Sequence, residues 1–296
     1  MRRMLLLLLA LIVTALSLPM SASGVWGGEL DRNRHPMVGA IYVDIFAPFD
    51  GPSGEEIVCS GSYAGPSKDG DHDVFLTAAH CIALLVDWGV TDFSVSFDPD
   101  PQDPDDSTPG LPDRLIPASE FHWDPRFSEQ IVNGTGPIET HLRNNNQYDS
   151  GVLLLPRGSV GDIDPVQLPT AGYLDDFKAG ELTGMEFELV GYGVQPIWQQ
   201  PGGTQIPFVP DGKRRRGFSK ASGLTAAWLR LLQNPQATGL GGICLFDSGS
   251  PQFLPGTRTI VSTTSNANGS CHAINSNYRL DTPAARAFLA HYLTLP

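Results

Sequence analysis

Short apolar runs are spread along the chain, and clusters of Pro, Gly, Asp and Asn separate them. The runs are rich in Val, Ile, Leu, Phe and Thr, which favour strands. We expect strands at residues 38–46, 74–77, 93–97, 151–155, 186–191 and 259–263. Many short strands at irregular spacing predict an all-β barrel or sandwich.

One helix is indicated at the C-terminal end of the chain. Thr282 is suited to cap its N-terminus, and Pro283 is suited to the first helical position. An apolar face with helical spacing then follows at Ala285, Phe288, Leu289 and Tyr292.

The first 24 residues have the pattern of a secretory signal peptide. Arg2 and Arg3 precede an apolar run at residues 5–18, and small residues follow at 21–24. Cleavage after Ser23 or after Gly24 would place small residues at the first and third positions before the cut, as signal peptidases require. We therefore expect a secreted mature chain from residue 25 to 296, with no membrane segment after the signal is removed.

The chain of 296 residues has a formal net charge of −13, and only 17% of its residues are charged. Such an acidic protein repels phosphate backbones, which argues against nucleic-acid binding. An acidic, proline-rich segment at residues 98–113 could offer carboxylates to calcium. The spacing of a calcium loop is missing, however, so we expect a solvated insertion.

Four cysteines in an exported chain predict two disulfides. They are Cys59, Cys81, Cys244 and Cys271, and four cysteines allow three connectivities between which the spacing alone does not choose. Metal binding is disfavoured because no pair of these cysteines has metal-ligand spacing.

Three local motifs carry candidate chemistry. His80 ends the segment FLTAAH before Cys81, Asp149 precedes a buried apolar run in YDSGVLLL, and Ser248 lies in CLFDSGSP. Each motif alone has an ordinary structural explanation, as a core histidine, a cap or a turn. Together they supply a nucleophile, a base and a carboxylate that orients the base.

These motifs resemble those of the trypsin-like (chymotrypsin-family) serine proteases, in particular the secreted bacterial members. LTAAHC with the upstream CSGSYAG is similar to the histidine motif of that family, and DSGSP is similar to its serine motif. The order His80, Asp149, Ser248 also matches. Further likenesses are VWGGE at residues 25–29, GYG at 191–193, IVS at 260–262 and YRLDTPAARAFL near the C-terminus. The resemblance covers residues 25–296.

The resemblance implies two six-stranded antiparallel β-barrels, at about residues 25–150 and 151–296, with the active site between them and a C-terminal helix. It implies that Ser248 is the nucleophile, His80 the general base and Asp149 the carboxylate that orients it. The backbone N–H groups of Phe246 and Ser248 would form the oxyanion hole.

The resemblance also implies several supporting roles. Cys59 would pair with Cys81, and Cys244 would pair with Cys271. Ser262 would support Asp149. Asp247 would form an ion pair with the new α-amino group of Val25.

Three residues depart from the family pattern. Phe246 replaces a glycine whose conformation is costly for other residues, by about 1–3 kcal/mol, and Ser250 replaces a second glycine. Gly242 stands where trypsins have an acid at the base of the substrate pocket. With Thr264 expected to narrow the mouth of that pocket, we expect small or medium uncharged side chains before the scissile bond.

The sequence therefore predicts a secreted serine endopeptidase that acts on polypeptides, needs no cofactor and is a monomer. The alternative is a catalytically impaired homologue that serves as a secreted binding protein because of Phe246. A purely structural β protein stapled by disulfides would require three matched motifs to be a coincidence.

Overall fold

The computed structural model describes residues 25, 27–44, 54, 56–100, 115–127, 147–195, 197–199, 203–205, 211–234, 238–267 and 271–296. The signal-peptide prediction for residues 1–24 and most of the acidic segment 98–113 lie outside these ranges. Within them, no helix has the length and apolar character needed to cross a membrane.

The first sheet has seven antiparallel strands. They are β2 (Val38–Val43), β3 (Glu56–Pro66), β4 (His72–Thr77), β5 (Ser94–Ser96), β6 (Ile116–Pro117), β7 (Glu120–Trp123) and β8 (Gly151–Pro156). Their order is β6-β5-β2-β3-β4-β8-β7. Strands β2, β4 and β8 are buried along almost their whole length, so the sheet curls around a core that includes Ile41, Phe75 and Leu153.

The second sheet also has seven strands, and six of them close into a barrel. They are β1 (Glu29–Leu30), β9 (Glu186–Gly191), β12 (Arg215–Leu224), β13 (Trp228–Leu232), β14 (Pro251–Phe253), β15 (Ile260–Ala267) and β16 (Ile274–Arg279). The order is β1-β12-β13-β16-β15-β14-β9, and pairing of β12 with β9 closes the ring. The N-terminal strand β1 joins this barrel from outside by pairing with the start of β12.

The remaining elements are short. A separate hairpin consists of β10 (Ile197–Gln199) and β11 (Gly203–Gln205). The helices are α1 (His80–Asp87), a 3-10 turn (Tyr173–Asp176), α2 (Ala179–Leu182) and α3 (Pro283–Leu289). The predicted start of α3 is confirmed, because Thr282 Oγ1 accepts a hydrogen bond from the Ala285 N–H at 3.2 Å.

The all-β, two-barrel fold class is confirmed, with one difference from the expectation. The edge strands of the first sheet do not pair with each other among the described residues, so that sheet is an open half-barrel. Strand β8, which begins at residue 151, pairs with β4 and β7 and so belongs to the first sheet.

A buried arginine joins the two sheets and the N-terminal segment. Arg214 is only 1% exposed. Its guanidinium donates to the carbonyl oxygens of Val38 and Phe97 in the first half, each at 2.8 Å, and to the carboxylate of Asp31 at 3.0 Å. A buried charge is tolerated when it is paired and hydrogen-bonded in this way.

Candidate active site

His80 and Asp149 form a buried pair at the junction of the two sheets. His80 is the first residue of α1, and Asp149 lies two residues before β8. The His80 Nδ1 lies 2.9 Å from Asp149 Oδ2 and 3.2 Å from Oδ1, and the His80 backbone N–H donates to Oδ1 at 2.9 Å. The carboxylate therefore fixes both the backbone and the ring of His80.

The environment of Asp149 keeps it ionised. Burial by itself would raise the pKa of Asp149, but the charge of His80 and hydrogen bonds from His80 and Ser265 outweigh burial and lower it. The Ser265 hydroxyl donates to Asp149 Oδ2. A carboxylate with these donors can stabilise a positive charge on the imidazole.

The loop that carries Ser248 is packed against the strand that leads to His80. The Ser60 N–H donates to the Ser248 carbonyl at 2.8 Å, and the Thr77 hydroxyl donates to the Ser60 carbonyl at 2.8 Å. Gly249 has φ +80, and a Cβ added there would lie 2.1 Å from Thr77 Oγ1. Only glycine fits this contact, which brings the residue after Ser248 against the end of β4, three positions before His80 in the sequence.

The Ser248 hydroxyl makes no hydrogen bond to another described residue. In structures without substrate, catalytic hydrogen bonds are often long and tighten when substrate binds. The structure thus brings the loop of Ser248 to the His80–Asp149 pair without joining the hydroxyl to the imidazole.

Phe246 adopts the backbone conformation that glycine favours. Its φ is +73, and its carbonyl accepts a hydrogen bond from Ser60 Oγ at 2.9 Å. Across the described ranges, neither the Phe246 N–H nor the Ser248 N–H has a hydrogen-bond partner. Both N–H groups are therefore available as hydrogen-bond donors.

Asp247 is fully buried beneath this loop. Its carboxylate accepts hydrogen bonds from the N–H groups of Gly193 at 2.8 Å and Cys244 at 2.9 Å, and no cation pairs with it in the described part of the chain. Burial raises the pKa of Asp247 to about 7. Val25 is also buried, and in the full-length chain its nitrogen belongs to a peptide bond.

The two disulfides have the local pairing that the family resemblance implied. Cys59 pairs with Cys81, the residue after His80. Cys244, which lies four residues before Ser248, pairs with Cys271. The Cys59, Cys81 and His80 side chains lie within 4.8 Å of one another. Because both cysteines are oxidised, this cluster offers no thiolates to a metal.

Two predicted site residues are corrected by the structure, namely Ser262, expected to support Asp149 and to line the substrate site, and Thr264, expected at the pocket mouth. Ser265, rather than Ser262, supports Asp149, while the Ser262 hydroxyl donates to Gln252 at 2.9 Å. Thr264 does not border an opening, since it is 1% exposed and is hydrogen-bonded to Ser250 at 2.8 Å. The register of β15 shifts between Thr264 and Asn266, so counting along the strand misplaces both residues.

A chain of buried polar side chains behind the Ser248 loop was not expected from the sequence. Each is hydrogen-bonded to the next through amides and hydroxyls, in the order Gln233, Asn275, Asn277, Thr264, Gln252 and Ser262. Gly242 lies against this chain, because a Cβ there would be 2.2 Å from Gln233 Cβ. The side chain that lies against Gly242 is therefore a neutral amide, that of Gln233.

Comparisons with known proteins identify the fold. No protein-family model and no curated protein sequence matches the chain. Among solved structures, human heparin binding protein is 16% identical with a TM-score of 0.54, covering 89% of this chain and 94% of that one. HL collagenase is 12% identical with a TM-score of 0.52, and the match covers 86% of this chain and 92% of that one. A Glu endopeptidase in complex with MPD is 14% identical with a TM-score of 0.52, and the match covers 88% of this chain and 92% of that one. At these identities the likeness concerns the fold, and the chain has the fold of the chymotrypsin-like serine proteases.

Proposed function

We propose that this protein is a secreted serine endopeptidase that cleaves polypeptides through an acyl-enzyme. The observation that carries the proposal is the buried His80–Asp149 pair with the Ser248 loop packed beside it. The signal-like N-terminus and the two disulfides support export to an oxidising compartment.

The geometry suggests a role for each group. Because Nδ1 of His80 faces Asp149, Nε2 is the nitrogen that can take the proton of Ser248 Oγ as it attacks the scissile carbonyl carbon. The Phe246 and Ser248 N–H groups would stabilise the resulting oxyanion. His80 then gives its proton to the leaving amine, which leaves an ester on Ser248. His80 then takes a proton from a water molecule that attacks this ester, and it returns the proton to Ser248 Oγ as the ester C–O bond breaks, which releases the second product with a free carboxylate.

The pocket residues favour uncharged substrates. Gly242 and its neighbour Gln233 present no carboxylate. A Lys or Arg side chain buried there would lie unpaired, at a free-energy cost on the order of several kcal/mol. We therefore expect cleavage after uncharged residues.

Cleavage after Gly24 would free the α-amino group of Val25. Among the described residues Asp247 is a buried carboxylate that forms no salt bridge, although the charge of Arg215 acts on it and lowers its pKa slightly, and Val25 is buried in the core of the second sheet. We infer that the new amine pairs with Asp247, so that export and activation are one event. N-terminal sequencing of the secreted protein would contradict this if it began upstream of Val25.

One observation favours a second function, that of a catalytically impaired binding protein. Phe246 is a bulky residue at φ +73, where an oxyanion site usually has glycine. If its peptide turns away in solution, the loss of one donor would lower the rate by roughly 10²–10³-fold.

Labelling with a fluorophosphonate, followed by digestion of a peptide library, distinguishes the two functions. An endopeptidase should be labelled at Ser248 and should cleave the library, whereas the Ser248→Ala variant should do neither. A folded wild-type protein that is not labelled would contradict the endopeptidase proposal. Cleavage confined to Arg and Lys sites would contradict the pocket assignment alone.

A further inference from the structure

Tyr148, the residue directly before Asp149, has a strained backbone. Its φ is +70, in the left-handed region that bulky residues rarely adopt. Residues held in such conformations persist only where the surrounding structure enforces them, and they cluster at functional sites. The contacts that enforce the conformation of Tyr148 therefore indicate what it is for.

An arginine that is itself fixed on two sides covers the Tyr148 ring. The Arg126 guanidinium carbon lies 4.2 Å from the ring centroid. Arg126 donates twice to the buried carboxylate of Asp124, at 2.9 and 2.6 Å, and once to the Ala284 carbonyl of α3 at 3.0 Å. This geometry is a cation–π contact with a preorganised planar cation.

Tyr148 also contacts the helix that begins with His80. Its side chain packs against a small cluster that contains Ala79 and Ala83. Ala79 is the N-cap residue of α1, and His80 follows it. The side chain of Tyr148, the neighbour of Asp149 in the sequence, therefore packs against a cluster to which the start of the His80 helix belongs.

The backbone on both sides of Asp149 is fixed in the same region. The Ser150 N–H donates to the Tyr148 carbonyl at 2.9 Å, and the Asp124 N–H donates to the Ser150 carbonyl at 2.9 Å. Asp124 thus holds Arg126 through its side chain and Ser150 through its backbone. A movement of Tyr148 would be passed to Asp149 directly.

We propose that Tyr148 and Arg126 are positioning residues that hold the Asp149 carboxylate against His80. The catalytic part of this inference rests on the proposed protease function. The strain at Tyr148 is retained because its ring, held by Arg126, sets the distance between the Asp149 segment and α1. Neither residue contacts the substrate.

The test uses the full secreted protein and four variants. Tyr148→Asn tolerates a left-handed backbone but removes the ring, and Tyr148→Phe keeps the ring. Arg126→Lys keeps the charge and removes the planar stacking group, and it serves as the second test if Tyr148→Asn does not fold. Arg32→Gly is the matched control, because Arg32 is an exposed residue with φ +48 in the N-terminal segment.

The primary readout is exchange of the His80 Nδ1 proton with water, measured by NMR, because it does not depend on activity. We expect exchange to be roughly tenfold faster or more in Tyr148→Asn and Arg126→Lys, and unchanged in Tyr148→Phe and Arg32→Gly. We also expect kcat to fall by roughly ten- to a hundredfold in the first two variants with KM unchanged, since small misplacements of catalytic groups act on the chemical step. Unchanged proton exchange in folded Tyr148→Asn or Arg126→Lys would overturn the proposal. A wild-type protein without turnover would instead count against the protease function and leave the proton-exchange test intact.

Discussion

Replacing Phe246 with glycine tests whether the oxyanion site is already formed in the resting protein. A non-glycine residue at φ +73 carries strain of about 1–3 kcal/mol. If this strain had to be overcome during each turnover, glycine would raise kcat by roughly 5- to 150-fold, at about 1.4 kcal/mol per factor of ten. In the structure, however, the strained φ is already present, and a hydrogen bond from Ser60 holds the Phe246 carbonyl.

The strain is therefore equal in the ground state and the transition state, and its relief should not change kcat. We expect kcat and KM of Phe246→Gly to stay within about threefold of the wild type on one peptide ester. Relief of strain should raise the free energy of unfolding by about 1–3 kcal/mol. The loss of ring contacts with Val194 and the Cys244–Cys271 disulfide, together with the added freedom of glycine in the unfolded chain, should offset most of this gain.

Phe246→Ala is the matched control, because it removes the ring but keeps a Cβ at positive φ. It should unfold at lower urea concentration than both the wild type and Phe246→Gly. A rise in kcat of a hundredfold or more in Phe246→Gly would refute this reasoning, since it would mean that the peptide turns away from the substrate in the wild-type protein.

Three further predictions follow from the site and its surroundings. Ser265→Ala should lower kcat by roughly ten- to a hundredfold, because its hydrogen bond to the charged Asp149 contributes about 1.5–3 kcal/mol. Ser262→Ala should leave kcat unchanged, and equal effects of the two variants would contradict the assignment of Ser265. Arg214→Met should lower the free energy of unfolding by about 3–5 kcal/mol in urea titrations, because it removes the guanidinium from the buried Asp31, which keeps only His35, and from the Val38 and Phe97 carbonyls. A loss below about 1 kcal/mol would refute the idea that Arg214 joins the two sheets. In the uncleaved chain, the free energy of unfolding should fall as the pH rises from about 4 to about 7. Burial raises the pKa of Asp247 to about 7, so in this range the folded state holds a proton that the unfolded state has lost. Asp247→Asn should remove this dependence on pH, and an unchanged dependence would contradict the prediction.

The sequence predicts the buried strands and the C-terminal helix well because their signals are local. Strands such as β8 are continuous apolar runs, and α3 has a capping threonine followed by proline. The motifs around His80, Asp149 and Ser248 are equally local. The structure brings His80 and Asp149 into contact and packs the loop of Ser248 beside them.

The polar strands were missed because their burial depends on partners far away in the sequence. Strand β12 begins with two arginines, and β16 contains two asparagines that are fully buried. The two asparagines are buried because they hydrogen-bond to each other and to Gln233 and the Leu229 carbonyl, which lie 42 and 48 positions away, and no local pattern reveals such partners. The role given to Ser262 came from the family resemblance, and it belongs to Ser265, which lies where the register of β15 shifts between Thr264 and Asn266.

Arg214 has a consequence for how the protein is made. The carbonyls that it binds belong to residues 176 and 117 positions earlier in the chain, and β1 pairs with β12 across a comparable separation. The first half therefore leaves the ribosome long before the arginine that completes it. Contacts of such long range slow folding, and they couple the two halves into one cooperative unit. A nascent chain that stops before residue 214 would keep Asp31 in water, and it should be held by chaperones or degraded rather than released as a finished barrel.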